Sequence, residues 1–448
     1  MNTTKRSLSR WLPAVVAGAI GATALMQAPE AVAQEEIYVP LTVYRTGAYA
    51  PNGIPIANGW SDYLKLLNAR DGGINGVKLT FEECETKYDT KLGVECYEKM
   101  KNSGPKGAAV FNPLSTGITY QIIPKAEVDK IPIHSMGYGR TAASDGRVFK
   151  WAFTFPTTYW SQASAFIKHI AEVEGGMDKL KDLKIGLLYH NSPYGKEPIP
   201  TLETLAAEHG YTLTTYPVDH PGQEQGASWL QIRRDRLDWL IMWGWGVMNQ
   251  VAIKEATNIK FPMDHFIGVW WAGSEPDVIP SGMAAKGYKA GNFHGVGADY
   301  PLHEDILKHV YNGDKAAAEA NGFGSVLYNR GIVNMLYDTE AMRTAMGKYG
   351  NVSLSGEQVR WGMENLDLNE DRIKDLGAEG LVRPIKLSCE NHEGNGPVFI
   401  QQWDGAKWVQ ASDWIEPITD VVRPAIEDAA EAYAKENSIE IRDCSKEE

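Results

Sequence analysis

Short apolar runs alternate with amphipathic stretches through most of the chain. Ile37–Tyr44 reads as a strand and Ile56–Arg70 as a helix, followed by the turn cluster Asp71-Gly72-Gly73-Ile74-Asn75-Gly76. A strand at Lys78–Glu83, a helix near Leu92–Asn102, a strand at Ala108–Phe111, a helix from Gly117 to Val128 and a strand at Ile131–Ser135 continue the series. It then restarts. Helix Tyr159–Glu174 leads to strand Lys184–His190, helix Ile199–Glu208, strand Thr212–Pro217, helix Ala227–Arg234, strand Trp239–Trp243, helix Val247–Thr257 and strand Phe266–Val269. Such alternation implies a parallel sheet with helices on both faces, and its repetition implies two similar α/β lobes. From about Leu302 the pattern is mainly helical, as expected of a return to the first lobe. Strand-like segments at Val398–Trp403 and Lys407–Val409 and a helix near Val421–Lys435 close the chain.

The amino terminus reads as an export signal. Lys5, Arg6 and Arg10 precede an uncharged Ala- and Gly-rich stretch from Trp11 to Pro29, and Ala31-Val32-Ala33 offers a cleavage site before Gln34. The apolar run is too short and too diluted by Gly, Thr and Pro for a spanning helix. The expected location is therefore the periplasm. Among 448 residues, 44 Lys and Arg stand against 57 Asp and Glu, a net charge of −13, which argues against a nucleic-acid partner. Four cysteines, none in a C-x-x-C pair, favour disulfides in an oxidising compartment. Three pairings exist, and Cys84–Cys96 with Cys389–Cys444 is the favoured one. The first would tie a strand end to the next helix, and the second would pin the carboxyl-terminal tail.

Catalytic signatures fail. Gly137-x-Gly139 and Gly244-x-Gly246 follow strands, but Ala142 and Asn249 occupy the third glycine positions of a dinucleotide loop. No Walker A loop or Gly-x-Ser-x-Gly elbow occurs, and Leu307 replaces the second histidine of a zincin helix beginning at His303-Glu304. His190, His220 and His392 read as turn or surface residues. No enzyme, cofactor or metal is expected.

What remains is a set of loops at the carboxyl ends of strands, where open α/β sheets bind small molecules. Arg45 and Tyr49 follow the first strand; Ser115 and Thr116 open a helix after Phe111; Gly137, Tyr138 and Gly139 follow Ser135. Tyr194 follows His190, and Trp243, Trp245, Trp270 and Trp271 cluster at adjacent strand ends of the second lobe. Ser115 and Thr116 suit an anion at a helix start, although a plain cap explains them equally well. Arg45 suits a carboxylate, with a solvated surface pair as the even alternative. The four tryptophans make walls for a flat or apolar ligand, or a cage for a quaternary ammonium. Trp60, Trp160, Trp229 and Trp239 read as packing residues.

In Pro40-Leu41-Thr42, Gly47, Leu67-Asn68, Gly72-Gly73-Ile74-Asn75-Gly76 and Tyr194-Gly195 the chain resembles the type I periplasmic binding proteins, especially the branch binding branched-chain amino acids for ABC importers. The resemblance implies two Rossmann-like lobes joined by three crossovers, with residues 35–156 and 295–385 in the first lobe and 157–294 and 386–448 in the second. It also implies a monomer that captures a solute and hands it to a membrane permease. Ser115 and the Gly137–Gly139 loop match the family's carboxylate-binding positions, and Tyr194 its stacking tyrosine. Two departures matter. Gly139 stands where the family has a threonine, and Trp270 or Trp271 where it has the acid that pairs an α-ammonium. The expected cargo is therefore a small hydrophobic or aromatic organic acid. Glu275 or Asp299 would have to replace the acid if the ligand were an amino acid, the alternative reading; a sensory module handing its state to a receptor is another.

Overall fold

The computed structural model describes residues 35–394 and 396–447, so the signal segment and its cleavage point lie outside the described residues. In the first lobe, Glu36–Val43 pairs in parallel with Lys78–Glu85, Ile37 facing Leu79 and Val39 facing Phe81. The Ala108–Asn112 segment joins its other side through bridges at Tyr38 and Leu41, and Phe111 bridges on to Ile133. Ile133–His134 then pairs with Ala152–Phe153. Ala108–Phe111 is thus held by isolated bridges rather than a continuous ladder.

The second lobe has one sheet of seven strands. Their order is Trp408–Gln410, Phe399–Trp403, Lys289–Asn292, Phe266–Gly268, Trp239–Trp243, Lys184–His190 and Thr212–Val218. Five strands are parallel, but Phe399–Trp403 runs antiparallel to Lys289–Asn292, and Trp408–Gln410 antiparallel to it in turn. The expected parallel sheet is therefore mixed at one edge: Asp404 accepts from the amides of Ala406 and Lys407, turning the chain into a hairpin that needs no crossover helix. In both lobes the second strand lies outside the first and the third inside it. Strand order therefore reverses beside the first strand, where a crevice opens at the carboxyl ends.

Helix Ala50–Asp71 of the first lobe packs against the 24-residue helix Val326–Tyr349. A side chain at Gly331 would strike the Ile56 carbonyl at 2.2 Å, so glycine there lets the two backbones touch. Trp60, Leu64 and Leu67 pack in the same core as Ile332, Val333 and Leu336. Helix Val326–Tyr349 is buried nearly all round, and its polar residues find internal partners. Asp338 takes His134 Nδ1 at 2.6 Å and the Asn112 amide at 2.8 Å, while Asn334 links Asn112 to the Trp60 indole.

Both favoured disulfides are formed, Cys84–Cys96 and Cys389–Cys444. The last helix, Thr419–Asn437, sets Ala430 and Ala434 against Ala142, Ala143 and Phe149 of the first lobe, and Arg442 bonds Glu364. The tail thereby straps onto the lobe opposite the sheet it leaves. Among the described residues no helix is long and apolar enough to cross a membrane. Two histidines are not surface residues. His392 is fully buried between the Ala152 carbonyl and Glu364, and His190 is buried with Nδ1 on the Ser192 hydroxyl.

Candidate ligand-binding cleft

The strand-end loops of the two lobes meet face to face. Trp270 and Trp271 both donate their indole N–H to the Gly137 carbonyl, at 2.9 and 2.5 Å, and Tyr138 stacks on Trp271 with ring centroids 4.5 Å apart. Gly137 has φ +74°, and a Cβ there would lie 3.1 Å from both tryptophan rings, so only glycine lets the loop approach. Tyr49 stacks on Trp245, and its hydroxyl meets His220 Nδ1 at 2.6 Å. Tyr159, which opens helix Tyr159–Glu174, stacks on Trp270 and lies edge-on to Trp243. Tyr88 packs between Tyr44, Tyr49 and Trp245. Burial holds the phenols of Tyr88, Tyr138, Tyr159 and Tyr194 well above their ordinary range, so all four stay neutral hydrogen-bond groups.

Eleven of the twelve residues singled out from the sequence fall at this junction, at strand ends or in the loops and helix starts that follow them. Ser115 caps helix Thr116–Asp129 by accepting from the Ile118 amide, and the Thr116 hydroxyl accepts from the Gly139 amide. A Cβ at position 139 would lie 2.4 Å from Glu197 Oε1 and 2.9 Å from the Thr116 methyl, so a threonine would force its neighbours to shift. The Tyr194 hydroxyl donates to the Gly244 carbonyl across the crevice of the second lobe. Trp243, Trp245, Trp270 and Trp271 are each at most 2% exposed, and the indole nitrogens of Trp243 and Trp245 have no partner.

Arg45 is the exception. Its guanidinium forks onto Glu83 on the outer face, with Nε to Oε2 at 2.7 Å and Nη2 to Oε1 at 2.6 Å, and Nη1 bonds Asn58. Strand register puts Glu83 opposite Leu41 and Glu85 opposite Val43, so the acids lie where the arginine emerges. This surface pair, with 29% of the Arg45 side chain exposed, takes the residue away from the cleft.

The cation that does reach the cleft is Arg330, in the first turns of helix Val326–Tyr349 and so not at a strand end. It is 1% exposed. Its Nε donates to His294 Nε2 at 2.7 Å, and its Nη2 donates to Asn292 Oδ1 at 3.0 Å and more weakly to the Trp270 carbonyl. Its guanidinium lies over the rings of Phe293, at 4.2 Å, and Trp271, at 4.7 Å. Burial lowers its pKa to about 9. An arginine inside the buried run Val326–Val333 was the available signal, because a charge on an all-buried helix needs a reason.

Neither acid that might have replaced the family's carboxylate is free at the cleft. Glu275 accepts from the Val326 amide at the start of the long helix, and Asp299 is exposed. Asp277 is used by Ser274 and Asn249. The cluster of Glu364, Cys389 and Glu447 offers no free metal-ligand set, since Cys389 is in a disulfide and both carboxylates bond Arg442.

Residues 36–407 match the family model described as periplasmic binding protein. A search of the curated proteins finds no match to the chain. Among solved structures, the chain is 44% identical to a protein described as an ABC transporter permease from the Pseudomonas fluorescens group, covering 92% of this chain and 100% of that one with a TM-score of 0.86. A branched-chain amino acid ABC transporter from Thermus thermophilus with bound valine matches at 20% identity over 88% and 99% of the two chains, with a TM-score of 0.73. An ABC transporter solute-binding protein from R. palustris in complex with benzoate matches at 16% identity over 85% and 97%, with a TM-score of 0.65. The last two speak for the fold. The chain belongs to the periplasmic binding protein family and has its type I fold of two α/β lobes.

Proposed function

We propose that the protein is the periplasmic solute-binding subunit of an ABC importer, closing its lobes on a small hydrophobic or aromatic organic acid and delivering it to a membrane permease. The observation that carries this reading is the aromatic junction between the lobes. Tyr49, Tyr138, Trp245 and Trp271 meet there as ring pairs, with polar groups few and specifically placed. Sites of this make-up hold flat, apolar ligands and orient them by a small number of hydrogen bonds. The protein bound to benzoate shares this fold, and so does the one bound to valine. Occupation of Glu275 and Asp277 by internal partners favours the acid over the amino acid, whose ammonium needs a carboxylate.

The division into a first lobe of 35–156 and 295–385 and a second of 157–294 and 386–448 fits this role, with closure about the crossings between them. The mature chain would begin at Gln34, act as a monomer and catalyse nothing. A thermal-shift screen of the mature protein against aromatic acids, aliphatic acids, amides, amino acids and quaternary amines tests the reading. The expected outcome is stabilisation by organic acids, amounting to about 2.7 kcal/mol at a hundredfold excess over Kd. Deletion of the gene should abolish uptake of the same acid. Stabilisation by amino acids alone, or turnover of the solute, would overturn the proposal.

A further inference from the structure

Among the described residues, no acidic group neutralises the charge of the Arg330 side chain. Its three hydrogen-bond partners, His294, Asn292 and the Trp270 carbonyl, are all neutral. His294 cannot share the charge, because its Nε2 accepts from Arg330 while its Nδ1 meets the Gly295 carbonyl, and burial, then the charge of Arg330, holds it well below the ordinary histidine range. Nη1, with two N–H groups, has no partner although the residue is buried. Among the described residues no carboxylate pairs with it: Asp338 is taken by His134 and Asn112, Asp277 by Ser274 and Asn249, and Glu275 by the Val326 amide. A buried, unpaired cation is costly, more so than the loss of one neutral hydrogen bond.

The surroundings of the guanidinium are those of a receptor. Its Cζ lies within 5 Å of the Trp271 and Phe293 ring centroids, and Nη1 keeps N–H groups free for a partner. The Tyr44 and Tyr138 hydroxyls lie 3.3 Å apart, and Tyr138 and Tyr159 stack on Trp271 and Trp270 beside it. Three fixed bonds hold the group in place before any ligand arrives, so little ordering is left to binding.

We infer that Arg330, through Nη1, is the counter-charge for the ligand, and that the cleft selects a carboxylate monoanion carrying no ammonium group. This rests on the solute-binding reading above and narrows its substrate class. An arginine fork and a carboxylate match in geometry and charge, and here water has been replaced by aromatic rings. A zwitterionic amino acid would satisfy Arg330 but leave its ammonium facing rings and an arginine.

Titration calorimetry on the mature protein tests this with matched probes: benzoate and benzamide, hexanoate and hexanamide, and L-phenylalanine and L-leucine. At least one acid should bind, with its amide and the amino acids weaker by roughly thirtyfold or more. The Arg330→Met variant should bind that acid no better than its amide, and Arg330→Lys should keep part of the preference. Circular dichroism and thermal melts report whether each variant folds; if Arg330→Met does not, the acid-to-amide ratio in the wild type and in Arg330→Lys decides. An amide binding as tightly as its acid, an amino acid binding more tightly than either acid, or wild-type acid affinity in Arg330→Met overturns the inference and leaves solute binding standing. Failure of every probe to bind contradicts both.

Discussion

Arg45 and Arg330 look alike as letters, and their fates differ because of what stands opposite each. Arg45 leaves a strand whose parallel neighbour presents Glu83 and Glu85, and that register exists only once the two strands are paired. Arg330 is enclosed because the long helix sets it against Trp271, Phe293 and His294, which come from segments far away in the chain. Neither fact is written in local sequence, which is why the wrong arginine was the visible one. The loop residues were legible because they follow strands whose apolar runs are clear, and a strand end predicts a ligand face. At the same scale, Asp338 anchors a buried network with His134 and Asn112. Asp338→Ala leaves both without their acceptor and should destabilise the protein by about 3–5 kcal/mol, read as a shift in the urea midpoint. A loss below 1 kcal/mol would mean that water replaces the carboxylate.

Among the elements, helix Tyr159–Glu174 and strands Lys184–His190 and Trp239–Trp243 lie where their periodicity puts them. The Ala108–Phe111 strand and the antiparallel edge were harder to read. The first is held by single bridges, and the second depends on a hairpin whose direction an apolar run does not encode. Helix Val326–Tyr349 meets the second lobe at its amino end, where Glu275 accepts from the Val326 amide. Burial, with a smaller contribution from Asp277, raises Glu275 to about 7. A carboxyl whose folded pKa exceeds its unfolded value favours the folded state below about pH 4.5, and that stability is lost as pH rises through about 7. Glu275→Gln removes this dependence. Between pH 5 and 8 the stability of the variant should therefore gain about 1–3 kcal/mol on the wild type, measured by urea unfolding at both pH values. Parallel pH profiles would show that Glu275 stays ionised throughout.

For the whole molecule, the two α/β lobes were legible because the strand–helix series visibly restarts, and both lobes fold with the same reversal of strand order. The docking of the last helix on the first lobe was not, since Ala430 and Ala434 carry no signal beyond small size. Function follows from the way the reversals face each other. Each lobe brings its strand ends to the junction, the second supplies tryptophans, the first supplies tyrosines and a glycine loop, and Arg330 supplies the charge. A ligand favours closure only by what it binds better in the closed arrangement, and the unpaired Nη1 is one such contact. The most direct measurement is a crystal structure of the mature protein with whichever organic acid stabilises it most. The acid should lie between the lobes, its carboxylate within hydrogen-bond distance of Arg330 Nη1 and its apolar body against Tyr138 and Trp271. A ligand seated elsewhere, or an ammonium group against Glu275 with Arg330 untouched, would contradict it.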